Sequence, residues 1–75
     1  MNKLKELIIF IDEGIDKLKQ NFNDDLYNKV SSKLLELDDL INNHQVPNDI
    51  YVELVKFHHN RRLIHASLKN NNKGK

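Results

Sequence analysis

The chain reads as all-α: an antiparallel helical hairpin extended to an up-down-up three-helix bundle. Three observations predict this. Apolar residues recur in three runs at alternating steps of four and three. They are Leu4, Ile8, Ile11, Ile15, Leu18, Phe22, then Leu26, Val30, Leu34, Leu37, Ile41, then Ile50, Leu54, Phe57, Ile64, Leu68. Such spacing places each run on one helical stripe. Two short breaks, over residues 21–23 and 42–47, separate the runs, and short connections set successive helices side by side and antiparallel. No segment alternates at the period of a strand, and no internal repeat occurs.

The first helix is predicted over about residues 3–21. Gly14 lies inside it and costs roughly 1 kcal/mol relative to alanine, but it lets a neighbouring element come close. Asn23 is a good N-cap for the second helix, and Asp24 and Asp25 put negative charge at its positive end. This helix should run over about 24–43. Pro47 disfavours helix at Val46. Asn48 or Asp49 then caps a third helix over about 49–69. Residues 70–75 hold no apolar side chain and are expected to form a disordered tail on a single domain spanning 1–69. A homodimer built through the same seams fits the pattern as well.

Seventy-five residues can build one core at most, and a core of that size depends on long helices packed face to face or on self-association. There is no cysteine, which excludes a disulfide framework, a thiol nucleophile and a thiolate metal site. No apolar run has the length of a membrane span. The opening run Leu7-Ile8-Ile9-Phe10-Ile11 stops at Asp12-Glu13, too short for the apolar region of a signal peptide. It is read as the start of a helix in a cytoplasmic protein, with no membrane partner.

A net charge of +1 conceals an asymmetry. Residues 1–22 balance, residues 23–43 are acidic and residues 44–75 are basic. The acidic second helix and the basic third can attract each other or serve different partners. On the third helix Tyr51, Val55, His58, Arg62, His65 and Lys69 form a second stripe beside the apolar one. With Lys56 and Arg61 they make a basic face carrying an aromatic, suited to phosphate groups. The bland alternative is a solvated face. Arg61 is the one polar residue in the third seam. It either snorkels at the bundle edge or pairs with an acid of the second helix.

The histidines give no metal signature. His58 and His59 are adjacent and point about 100° apart, and His58 and His65 lie roughly 10 Å apart along a helix, too far for one ion. They read as half-exposed surface residues, and no metal or cofactor is implied.

The second helix contains the most specific run, Glu36-Leu37-Asp38-Asp39-Leu40-Ile41-Asn42. By itself it describes a charged outer face over a leucine core. It also resembles the signature of the small sporulation-regulator aspartyl-phosphate phosphatases, over about residues 4–44. In that family the second helix of a hairpin carries Ser-Gln-Glu-Leu-Asp, then one residue, then Leu-Ile and often Asn. The resemblance implies a regulator that docks on the receiver domain of a response regulator. It also implies Glu36 and Asp38 as catalytic candidates, with Asp39 and Asn42 beside them as partner-binding residues. The family's Ser and Gln are Leu34 and Leu35 here, and leucine cannot place a water in line with phosphorus. Whether the protein is an enzyme is therefore left open. Two further readings stand beside it: a nucleic-acid-binding accessory protein of a phage or plasmid that uses the basic third helix, and a bacteriocin-immunity-like bundle, for which fold analogy is the sole warrant.

Overall fold

The three apolar stripes close on one another as an up-down-up bundle of α1 (Asn2–Gln20), α2 (Asp24–Asn42) and α3 (Tyr51–Lys73). The computed structural model describes residues 2–73, and the side chains of residues 3–70. Among the described residues there is no strand, and each helix packs on both of the others. No helix is long and apolar enough to cross a membrane.

The core follows the predicted seams closely. Leu4, Ile11, Ile15 and Leu18 of α1 are buried with Val30, Leu34, Leu37 and Ile41 of α2 and Leu54 of α3. In α1 the buried centre passes through Leu7, whereas Ile8 is only partly covered. The reason is that α1 must face two neighbours, so its apolar stripe is wider than a two-helix seam. Phe22, Leu26, Tyr27, Ile50, Phe57 and Ile64 close the margins.

Gly14 allows α1 and α2 to approach. A Cβ at this position would lie 2.6 Å from Val30 Cγ2, closer than carbon atoms tolerate. Val30 has no exposed surface and, being β-branched on a helix, one strongly preferred rotamer. It cannot swing away cheaply.

The connections differ in how they are closed. The Asn23 side chain accepts a hydrogen bond of 2.8 Å from the Leu26 backbone N–H, as expected of an N-cap. At the end of α2 the Gln45 N–H donates to the Leu40 carbonyl at 2.8 Å and the His44 N–H to the Ile41 carbonyl at 3.1 Å. This is the Schellman arrangement, which needs a left-handed residue between the two donors' acceptors and the exit chain. His44 supplies it with φ of 55°, and its ring stacks on Tyr51 at 5.7 Å. Val46 then turns into the core.

Entry to α3 departs from the sequence expectation. The chain passes through one 3₁₀ turn, Asn48–Ile50, with Pro47 at its cap position and no side-chain bond closing it. The expected Asn48 or Asp49 cap is therefore not formed. Proline fixes the entry φ instead, and the Ile50 N–H donates to the Pro47 carbonyl. At the other end α3 runs on to Lys73, past the predicted end near residue 69. Residues 70–73 of the expected tail continue the helix, because Asn and Lys do not break one. Residues 74 and 75 lie outside the described residues.

Two stability measurements check this account. Gly14→Ala should destabilise the bundle by about 1 kcal/mol or more in urea unfolding, because overpacking outweighs the gain in helix propensity. In a Val30→Ala background the same substitution should become stabilising, since the clashing methyl is gone. A cost of Gly14→Ala that persists in the Val30→Ala background would show that the close approach is not its cause.

Candidate functional site

The geometry of α3 rearranges the residues that the sequence placed on a basic face. His58 and His65 are buried, 7% and 6% exposed, and both rings turn onto α2. His58 Nε2 lies 3.1 Å from the Leu34 carbonyl oxygen. His65 Nε2 lies 3.0 Å from the Tyr27 carbonyl oxygen. A carbonyl only accepts, so in each ring Nε2 is the protonated nitrogen and donates. The His65 ring also stacks on Tyr27, centroids 3.8 Å apart. Both residues therefore belong to the helix interface, and the reading of them as half-exposed surface histidines is corrected. Positions 54, 58, 61, 65 and 68 repeat at four-three spacing, so the signal was present. What identifies the role is an acceptor on another helix, which sequence spacing does not display.

Arg61 does form an ion pair, but with α1 rather than α2. Its Nη2 and Nε donate to Asp12 Oδ1 at 2.8 and 3.1 Å, and its guanidinium lies 4.7 Å from the Phe57 ring centroid. The acid lies on the first helix, not on the second as the pairing alternative for Arg61 has it. The side chains are 27% and 52% exposed, so solvent screens much of the attraction.

Little of the basic face remains as such. Lys56, Arg62 and Lys69 are exposed, while Tyr51 is half-buried. Lys69 reaches over the Tyr27 ring at 5.3 Å. Lys56, six residues before Arg62, points about 120° away from it. Arg62 and Lys69, seven residues apart, stay on one face of α3, and Lys56 lies off it.

The resemblance motif is also divided between surfaces. Glu36 faces the α1–α2 groove, where Lys33 Nζ lies 3.4 Å from its carboxylate and where Lys3, Leu7 and Phe10 form the walls. Asp38 faces the opposite groove, between α2 and α3. Two residues of separation turn them about 200° apart, so the two catalytic candidates share no site. Asn42 Nδ2 donates to Asp38 Oδ2 at 3.2 Å, which keeps these two together. Asp39 is exposed on the outer side of α2.

The α2–α3 groove gathers more of the candidate residues than the α1–α2 groove does. It encloses about 360 Å³ and is lined by Ser31, Leu35 and Asp38 of α2 and by His58, Arg62 and Ala66 of α3. The floor is rigid, because His58 and His65 are fixed to main-chain carbonyls of α2. The rim is mixed in character. Leu35 is apolar and 66% exposed. Asp38 Oδ1 approaches His58 Nε2 at 4.0 Å. Among the described residues Arg62 enters no salt bridge, and no three of His, Asp and Glu are grouped as metal ligands. Such a surface offers one acid, one base and an apolar contact.

Compared with models of known protein families, with curated proteins and with solved structures, the chain matches none of them.

The interface roles lead to separable outcomes. His58→Ala should cost about 2–3 kcal/mol through the cavity it leaves. His58→Leu should cost about 1 kcal/mol, because the Leu34 carbonyl still takes its bond within α2 and is not orphaned. Arg61→Ala should cost at most about 1 kcal/mol, less at high salt. Chemical denaturation of these variants at two ionic strengths tests all three. A cost for His58→Leu equal to that of His58→Ala would mean that the hydrogen bond, not packing, holds the helices.

Proposed function

We propose that this is a small regulatory protein that acts by protein–protein contact, docking through the α2–α3 groove on the receiver domain of a response regulator. The observation that carries the reading is the placement of Asp38 and Asn42. These residues of the phosphatase-like run stand hydrogen-bonded to each other on the α2 side of the bundle that faces α3, and Asp38 lines a groove beside exposed Leu35. Exposed apolar and charged side chains around a rigid floor are what a docking surface requires.

The role is binding rather than phosphate hydrolysis. Leu34 is buried and Leu35 is apolar, so neither can orient water for in-line attack. Glu36 works on another face. The nucleic-acid reading is weakened, because His58 and His65 are buried against α2 and Arg61 is paired with Asp12, which leaves Arg62 and Lys69 as the exposed cations of that stripe.

Calorimetric titration against purified receiver domains from low-GC bacteria is the direct experiment. Micromolar binding is expected, weakened about fivefold or more by Asp38→Ala, with the lifetime of the receiver's aspartyl phosphate unchanged. Absence of binding across the panel would sink the receiver reading. Steeply salt-dependent binding to DNA or RNA would reinstate the basic third helix.

A further inference from the structure

We infer that the occupant of the α2–α3 groove is an amphipathic helix of the partner, carrying a base and an acid two turns apart with apolar residues between them. The inference rests on the docking role proposed for this groove. It names the shape and charge order of what enters it.

The register of the two helices fixes the charge pattern. His58 of α3 meets Leu34 of α2, and His65 meets Tyr27, so the helices run antiparallel past these anchors. Asp38 lies four residues beyond Leu34 in one direction. Arg62 lies four residues beyond His58 in the other. At 1.5 Å per residue their Cα atoms are separated by about 12 Å along the groove. Leu35 stands between them, 66% exposed. The groove is therefore negative at one end, apolar in the middle and positive at the other end.

The acid and the base do not satisfy each other. No salt bridge joins them, and Asp38 Oδ1 lies 4.0 Å from Nε2 of buried His58, which donates to the Leu34 carbonyl. A ligand that pairs with both must span about two helical turns. Side chains at positions i and i+7 of a helix do so on one face, and positions i+3 and i+4 between them supply apolar contacts for Leu35. A helix also suits the walls, because a third helix lying between two others packs at ordinary interaxial distance. Among the described residues there is no sheet edge with which an extended strand could pair. The order of the charges in the partner sets its direction: acid before base runs parallel to α2, and base before acid runs antiparallel to it.

The test uses the full-length, isotope-labelled protein and a synthetic helical peptide of about 18 residues. The peptide bears one Lys and one Glu seven residues apart and leucines at the third and fourth positions after the first charge. Amide shifts on titration should centre on Leu35, Asp38, Arg62 and Ala66. Asp38→Lys, with its helical circular dichroism retained, should weaken binding about fivefold. Replacing the peptide Lys by Glu should restore binding to that variant while weakening binding to the unmodified protein. No shifts at millimolar peptide, shifts elsewhere, or indifference to Asp38→Lys would overturn the inference. Receiver binding at this groove without peptide binding would overturn the helical occupant and leave the docking role standing. Loss of both would remove both. Concentration-dependent shifts at the same residues without peptide would assign the groove to a second copy of the chain and overturn a foreign helix.

Discussion

The attachment of α3 to the hairpin depends on two imidazole-to-carbonyl hydrogen bonds, His58 to Leu34 and His65 to Tyr27. α1 and α2 can associate through apolar stripes alone, with Gly14 admitting Val30. α3 cannot do so to the same degree. Its seam contains Arg61, and among the described residues only Leu54 of its large apolar side chains is buried. Two histidines seven residues apart compensate, since i and i+7 lie on one face and reach one helix. Each ring covers apolar surface and also donates a hydrogen bond, and among the described residues no buried side-chain polar atom lacks a partner. The register of α3 against α2 follows from these two contacts, and so does the spacing of every group in the groove above them.

Hydrogen bonds to helix carbonyls have a particular energetic character. The Leu34 and Tyr27 carbonyls already belong to the internal ladder of α2, so the imidazole bond is additional rather than obligatory. Its net contribution is modest, about 1 kcal/mol. Its value lies in specificity, because a one-residue slip would turn each ring by about 100° and leave a buried N–H with no acceptor. Leucines at the same positions would accept several alternative packings. Polar interface groups can therefore restrict the bundle to one arrangement without dominating its stability.

The fold was legible because period and breaks agree. Leu4, Ile11, Ile15, Leu18, Val30, Leu34, Leu37 and Ile41 fall where spacing puts them, and Asn23 caps α2 as its chemistry suggests. The site was legible only in part. Spacing shows that His58 and His65 share a face, but a histidine beside an apolar seam can turn outward or inward. The choice depended on carbonyls of α2 that the sequence of α3 does not contain. Arg61 was open for the same reason, since its partner Asp12 lies 49 residues away. The linear run Glu36–Asn42 looked like one unit because its residues are adjacent in the chain. On a helix, adjacency separates side chains, and Glu36 and Asp38 are divided between two grooves.

This division separates what folds the protein from what it can bind. The groove floor consists of His58 and His65, whose loss loosens the bundle. Its rim consists of Leu35, Asp38 and Arg62, which are at least partly exposed and make no long-range hydrogen bond among the described residues. Rim residues can change with little effect on stability, because surface substitutions away from packed or capped positions have small costs. Leu35 lies between the acid and the base with 66% of its surface exposed. A partner that covers it would recover the burial of that side chain. The same partner would neutralise both charges in a setting drier than bulk water, where each pair is worth more than on the free surface. The rigid floor lowers the cost of this event, since the receptor has little conformational freedom left to lose on binding.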